Sequence, residues 1–201
     1  MNPNITAPLN APTEFFRMRV ITGIARGRRL VTPEGDDVRP TTDKVKEAIF
    51  SAVQFRLEDA YVLDLFAGSG QMGIEALSRG AKRAIFVDNS RKSLNCINEN
   101  LHNTKLDKFS EVISRDSFDY IRLTARRFDI IILDPPYRHG YINELLPLAA
   151  DKLLPGGCII CEYEADADVP DAPENTFLKK TYKYGRINVS IYCRNEDEES
   201  E

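Results

Sequence analysis

Apolar and polar positions change rhythm along this chain of 201 residues. From residue 61 onward, short apolar runs alternate with stretches of helical spacing. "YVLDLF" (61–66), "RAIFVD" (83–88), "SEVIS" (110–114), "FDIIILD" (128–134) and "GCIICEY" (157–163) read as strands. Most are continuous apolar runs, as expected when helices cover both faces of a sheet. Between them, "QMGIEALSRG" (71–80), "SRKSLNCINENLHNT" (90–104), "SFDYIRLTA" (117–125) and "INELLPLAADKLL" (142–154) read as helices. Ser90 is placed to cap the second helix, and the first ends at Gly80. Such alternation predicts a parallel α/β sheet. The closing "FLKKTYKYGRINVSIYCR" (177–194) holds two β-like runs around Gly185, which predicts a terminal antiparallel hairpin.

The N-terminal part has a different pattern. "RMRVITG" (17–23) and "RRLVTPEG" (28–35) are two short β-like runs joined by "IARG", punctuated by Gly23, Gly27 and Gly35. They predict a small hairpin. In "RPTTDKVKEAIFSAVQFRL" (39–57), Val45, Ala48, Ile49, Ala52 and Val53 recur at helical spacing. An amphipathic helix is expected there, capped by Thr41, Thr42 or Asp43 after Pro40. Residues 1–17, rich in Pro and Asn, read as a flexible extension. The organisation expected is a hairpin-and-helix unit over 18–58, a main domain over 59–194 and a disordered tail over 195–201.

Charge sharpens this division. The net charge is −4, but the tail "NEDEESE" alone supplies five acids and no base, so the remainder carries one net positive charge. Against it, "RVITGIARGRRL" (19–30) holds four arginines and no acid. Such a run is either an edge guarded by charge or a phosphate-binding surface. Cysteine usage changes little. Cys158 and Cys161 form one C-x-x-C in an apolar strand, with no second pair to complete a zinc site, so core thiols and no metal are expected. No apolar stretch reaches the roughly 20 residues that span a bilayer. No basic start leads into an apolar leader, so a cytoplasmic protein with no membrane partner is expected.

The first candidate chemistry lies at "VLDLFAGSGQMGIEAL" (62–77), which runs from strand into helix. Gly68, Gly70 and Gly73 match G-x-G-x-x-G, a spacing that lets backbone approach a ligand at a helix N-terminus. Asp88, 20 residues after Gly68, ends the next strand, where a carboxylate can accept both hydroxyls of a ribose. Asp64 narrows the choice. A carboxylate beside this turn repels a pyrophosphate but attracts a ligand carrying an ammonium and a sulfonium. S-adenosyl-L-methionine carries both. Asp116 follows the third strand and is placed to receive an adenine amine, with Ser117 or Phe118 beside it. Three acids at successive strand ends are far more specific than the glycines alone; singly, each would read as a helix cap.

A fourth strand-end acid, Asp134, opens "DPPYRHGY" (134–141). Two prolines fix the backbone and remove two N–H donors. The Asp134 carboxylate and the Pro135 carbonyl then become two rigid acceptors for the N–H groups of an exocyclic amine. Such bonds oppose delocalisation of the nitrogen lone pair and aim it, a form of preorganisation. Tyr137 is placed to stack on the base once it has left its helix. No strong general base is needed, because the amine proton becomes acidic only after attack.

"LDLFAGSGQMGIEALSRGA", "VD" and "LDPPY", in that order, resemble class I S-adenosylmethionine-dependent methyltransferases acting on exocyclic amines. "RVITGIARGRRL" and "RPTTDKVKEAIFSAV" narrow the resemblance to the bacterial 16S rRNA (guanine-N2)-methyltransferase family, over about residues 18–194. The resemblance implies a Rossmann-like α/β fold with a mostly parallel seven-stranded sheet and a terminal antiparallel hairpin. It also implies cofactor contacts from Asp64 and the loop Phe66, Ala67, Gly68, Ser69 and Gly70, from Asp88 and Asn89, and from Asp116 and Ser117. Asp134, Pro135 and Tyr137 would hold the target guanine. Where the family usually has Val-Glu at the second strand end, this chain has the shorter Asp88. Arg19, Arg26, Arg28, Arg29, Arg39, Thr41, Lys44 and Lys46 become candidates for an RNA track. The implied partner is 16S rRNA in the small ribosomal subunit or an assembly intermediate, bound by a monomer. The readings weighed against this are a DNA adenine-N6 methyltransferase, a nicotinamide-dependent oxidoreductase and a non-catalytic RNA-binding factor.

Overall fold

A computed structural model describes residues 18–33, 43–137 and 140–196. The elements follow the sequence pattern closely. Helix α1 (Asp43–Ala52) precedes β1 (Tyr61–Leu65), α2 (Gln71–Ser78), β2 (Arg83–Asp88), α3 (Arg91–Thr104) and β3 (Ser110–Ser114). Then come α4 (Ser117–Leu123), β4 (Phe128–Leu133), α5 (Tyr141–Ala150), β5 (Leu153–Glu164), β6 (Thr176–Tyr184) and β7 (Ile187–Arg194).

The strands form one seven-stranded sheet in the order β3-β2-β1-β4-β5-β7-β6. β1 to β5 pair in parallel, whereas β7 runs antiparallel to both β5 and β6. The chain starts mid-sheet, winds outward to β3, then returns to lay β4 on the other side of β1. Where winding reverses, the loops leaving the two strands diverge and open a crevice at their C-terminal ends.

Successive strand residues face opposite sides. Val62, Ile132 and Ile160 pack with Ile74, Phe86 and Ile97 on the face covered by α1, α2 and α3. Leu63, Leu65, Ile131 and Ile159 pack with Ile121 and Leu145 under α4 and α5. The same alternation separates Cys158 from Cys161, which lie buried in the two different clusters. Burial pushes the Cys158 thiol up to about 12. Both behave as core side chains.

Two expectations need correction. The predicted N-terminal hairpin is shorter than its two runs: one antiparallel bridge, Arg19 to Arg29, is flanked by Val20 N donating to Arg28 O and Leu30 N to Met18 O. The main domain satisfies much of the remaining backbone: the buried Glu75 carboxylate on α2 accepts from the Ile21 and Thr22 N–H groups at 2.8 and 3.0 Å. Met18, Val20 and Leu30 meanwhile sink into the core shared with α1 and α2. The fifth strand also begins at Leu153, not 157, so Leu153 and Leu154 leave the helix predicted for them. Leu153 pairs with Phe128, and regular pairing resumes only at Ile130–Cys158. Pro155 lacks a donor and Gly156 has φ 71°, so this stretch bulges rather than continuing the ladder. Among the described residues, no helix is long and apolar enough to cross a membrane.

Candidate active site

β1 leads into the glycine turn, and the turn into α2. Phe66, the first residue past β1, has φ 59°, a costly conformation for a side chain with a Cβ. It is over-determined by its neighbours. Its N–H donates to Ser117 Oγ at 3.3 Å, and its ring stacks with Tyr141 at 6.4 Å and meets Phe118 edge-on at 6.3 Å. The glycines have different tasks. A Cβ on Gly68 would meet only the Phe66 carbonyl oxygen, at 3.9 Å, so that face is open to a ligand. A Cβ on Gly73 would fall 2.4 Å from the Phe86 ring, so Gly73 lets α2 close on β2.

The acids around this turn are tied into backbone. Asp64 is buried and its Oδ2 accepts from Gly73 N at 2.9 Å. Burial raises its carboxyl to about 7, an effect that the Gly73 N–H opposes and the Asp88 charge reinforces. Asp88 accepts from Gly68 N at 2.9 Å and from Ser90 N at 2.8 Å, joining the end of β2 to the turn. Its neighbour Asn89 is exposed. Asp116 caps α4 by accepting from Phe118 N and Asp119 N at 2.9 and 3.1 Å, both through Oδ1. Ser90 caps α3 through Ser93 N. The Ala67 N–H continues the ladder by donating to the Val87 carbonyl at 3.1 Å. Ser69 and Ser117 are buried and turn their hydroxyls inward, towards Met18 Sδ and the Phe66 N–H. Those side chains brace the turn rather than face the crevice.

The end of β4 is built differently. Asp134 follows the last paired residue of β4, Leu133, which lies beside Leu65 of β1 and Cys161 of β5. Its carboxyl is raised well above the usual range, first by burial, then by the charges of Glu162 and Asp64. Among the described residues, no group donates a hydrogen bond to it. Pro135 is buried, while Pro136 and Tyr137 are exposed. The Tyr137 hydroxyl donates to Glu162 Oε1 at 2.7 Å, which fixes the ring. Burial and the Glu162 charge push that hydroxyl's pKa upward. Pro135, Tyr137, Tyr141 and Glu162 line a cavity of about 400 Å³ together with Val169 and Asp171. Arg138 and His139 lie outside the described residues.

On the N-terminal segment, Arg26, Arg28, Arg29 and Lys44 are exposed. Arg19 is exposed too, although its Nε pairs with Asp43 Oδ2 at 2.9 Å. Lys46 corrects the expectation. It is fully buried, with Nζ donating to the Arg19 carbonyl at 2.7 Å, so it belongs to the core and not to a basic surface. Helical periodicity accounts for this: position 46 lies on the face shared by Val45, Ile49 and Phe50. Arg39 and Thr41 lie outside the described residues.

Sequence reasoning missed three polar residues. Glu162 looked like the polar end of an apolar strand; an acid inside "CIICEYE" was its only signal. Asn100, fully buried on α3, donates to Ser69 O at 2.8 Å and Val31 O at 2.9 Å, and accepts from Val31 N at 2.8 Å. It joins the N-terminal segment to the glycine turn. Glu75, fully buried on α2, stands in a helical pattern that gives it no distinguishing signal.

A sheet of this order, with a glycine turn after its first strand and acids along one edge, defines a Rossmann-like methyltransferase fold. The sequence model of the family described as conserved hypothetical protein 95 matches residues 18–193, and the chain belongs to that family. Ribosomal RNA small subunit methyltransferase D of Haemophilus influenzae is 32% identical over 189 residues, 92% of this chain and 97% of that protein. YlbH of Bacillus subtilis, named as a candidate rRNA methyltransferase, is 38% identical over 180 residues, 87% of this chain and 98% of that protein. The solved structure of an Escherichia coli protein named as a methyltransferase superposes with a TM-score of 0.81 at 32% identity, covering 90% of this chain and 99% of that one.

Proposed function

We propose that this protein transfers a methyl group from S-adenosyl-L-methionine to the exocyclic N2 amine of one guanine in 16S rRNA. The observation that carries the reading is the pairing of two unlike acid sites across the β1–β4 crevice. One is braced by backbone around an open glycine turn, and the other is a carboxylate with no donor among the described residues, on a proline-fixed loop beside a cavity. The relatives' names support rRNA as the substrate.

The residues fit the cofactor. Asp64 lies where an ammonium and a sulfonium would be attracted, and the open face of Gly68 lets backbone approach. Asp88 keeps acceptor capacity for ribose hydroxyls, since a carboxylate offers about four lone-pair sites. Asp116, Asn89 and the backbone near Ser117 and Phe118 would hold the adenine. When bound, the cofactor supplies a methyl group on a positively charged sulfur, which departs with the bonding pair. The protein's task is to hold the acceptor nitrogen. Asp134 and the Pro135 carbonyl accept its two N–H bonds, and Tyr137, pinned by Glu162, stacks on the base. The raised Asp134 carboxyl is a better proton acceptor than an ordinary aspartate, which suits the loss of a proton after attack. Arg26, Arg28, Arg29 and Lys44 track phosphates together with Arg19, and Arg39 and Thr41, outside the described residues, belong to the same proposal; the protein acts as a monomer in the cytoplasm on the small subunit or its precursor.

The test is incubation with labelled S-adenosylmethionine and undermethylated small subunits, followed by mapping of the label. One N2-methylguanine in 16S rRNA is expected. Label in DNA adenine, or no transfer to any subunit preparation, would overturn the reading.

A further inference from the structure

We propose that the outer strand β6 extends the RNA surface, taking an unpaired stretch of RNA with a phosphate on Lys180 and a base stacked on Tyr184. The inference rests on the rRNA reading above and assigns a surface that reading leaves unused.

Lys180, Tyr182 and Tyr184 stand at alternate positions of β6, so they share one face of the sheet. They form a ladder there. Lys180 Nζ lies 4.8 Å from the centroid of the Tyr182 ring, and that ring lies within 8° of parallel to Tyr184, with centroids 6.2 Å apart. Both tyrosines are half-buried against the core cluster that α1 and the N-terminal segment share, and Lys180 is exposed. The ladder ends beside Gly185, where an added Cβ would meet nothing within 4 Å. β6 is an outermost strand, and lysines alone would do no more than guard such an edge. An aromatic row beside them, ending at open space, is the make-up of a surface for single-stranded nucleic acid.

Register brings this row to the reacting edge of the sheet. Glu162, Val189 and Tyr182 share one row across β5, β7 and β6. Cys161 pairs with Leu133, so that row lies one residue past the end of β4, where Asp134 stands. Tyr184 is further along the same way. Three strand spacings, about 14 Å, separate β4 from β6, a distance that a few nucleotides span.

Charge selects the face. Lys179 Nζ donates to the Ala52 carbonyl, the last of α1, at 3.3 Å, and Lys46 near the other end of that helix holds the Arg19 carbonyl. α1 thus joins β6 to the arginines of the N-terminal segment, over a helix of about 15 Å. Its acids are Asp43, paired with Arg19, and Glu47. The opposite face is acidic. The crossover from β5 to β6 exposes Asp166, Asp168, Asp171 and Glu174 and carries no base. The Tyr192 hydroxyl holds it there by donating to the Pro170 carbonyl at 2.6 Å. By alternation Lys183 belongs to that side. A polyanion is drawn to the α1 face and repelled from the other.

The test measures binding of fluorescently labelled oligoadenylate to the full chain over a series of salt concentrations, alongside kcat/KM for methyl transfer to undermethylated small subunits. Tyr184→Leu keeps an apolar side chain but no flat ring. It should weaken oligoadenylate binding by roughly 5- to 100-fold, whereas Tyr184→Phe should bind like wild type. Lys180→Ala should reduce the salt slope by about one, and Lys183→Ala should leave it unchanged. Tyr184→Leu and Lys180→Ala should also lower kcat/KM, with S-adenosylmethionine affinity unchanged in every variant. Wild-type binding in Tyr184→Leu, or equal slopes for Lys180→Ala and Lys183→Ala, would overturn the proposal. So would a wild type that binds no oligoadenylate, or sedimentation showing β6 pairing two copies of the chain with RNA binding untouched by the variants. Failure of wild type to methylate any subunit preparation would refute the rRNA reading, and oligoadenylate binding would still decide this one.

Discussion

The two halves of the crevice are both acidic, yet they are built on opposite plans. On the β1–β2–β3 side, Asp64, Asp88 and Asp116 each accept backbone N–H bonds from the next turn or helix. On the β4–β5 side, Asp134 faces Glu162 and Asp64 and takes its raised pKa from burial and those two charges. The first plan makes acids part of a fixed wall. The second leaves an acid that takes no hydrogen bond from the described residues, ahead of two prolines. The difference teaches which side does what. A wall held by its own backbone suits a ligand that must be bound in one pose. A buried carboxylate without a donor among the described residues suits the group proposed to engage the reacting amine.

This contrast is breakable by mutation, and the largest effect belongs to the β4 side. Asp134→Ala should lower methyl transfer by about 10²–10³-fold, comparable to removing one preorganised group at other active sites. Single-turnover transfer to small subunits measures it.

Asp64→Asn probes the opposite wall. Burial lifts the Asp64 carboxyl from an ordinary 3.8 to about 7 in the folded chain. Folding therefore favours the protonated form. That stabilisation is fully present below about pH 4 and is lost as pH rises through about 7, a swing of about 4 kcal/mol. The cofactor-free Asn variant should thus gain on wild type between pH 4 and 8 in urea denaturation, while losing cofactor affinity. Conversely, wild-type affinity for the cationic cofactor should rise through pH 7 as Asp64 ionises, measurable by titration across pH.

A smaller effect is expected where the N-terminal segment meets the glycine turn. Asn100→Ala leaves Val31 and Ser69 backbone groups without their partner, at a cost of about 1–3 kcal/mol in stability. Cofactor affinity should weaken with it, because the turn carries Ser69. Smallest is Arg28→Ala. It should leave cofactor binding unchanged, weaken RNA binding a few-fold and reduce the salt slope by about one.

How legible was this contrast beforehand? The strand-end acids and the glycine turn were readable because period and position fix them. An acid that ends an apolar run before a helix lies on the ligand edge of a parallel sheet whatever else happens. The proline pair was readable because proline's constraints are local. Glu162 was not, because its meaning comes from pairing with a strand nearly thirty residues earlier, and no local pattern announces that register. Lys46 failed for a related reason. Lysine reads as surface until a backbone carbonyl 27 residues away is known to wait above the buried face. The inward direction of the Ser69 and Ser117 hydroxyls was not readable either, because the turn's sequence says that they lie near the site but not which way their side chains point.

The most direct test is calorimetric titration of S-adenosylmethionine into Asp134→Ala and Asp64→Asn side by side. The division of labour predicts wild-type affinity for Asp134→Ala and a loss of roughly tenfold or more for Asp64→Asn. Loss of cofactor binding in Asp134→Ala, or wild-type binding in Asp64→Asn, would contradict it.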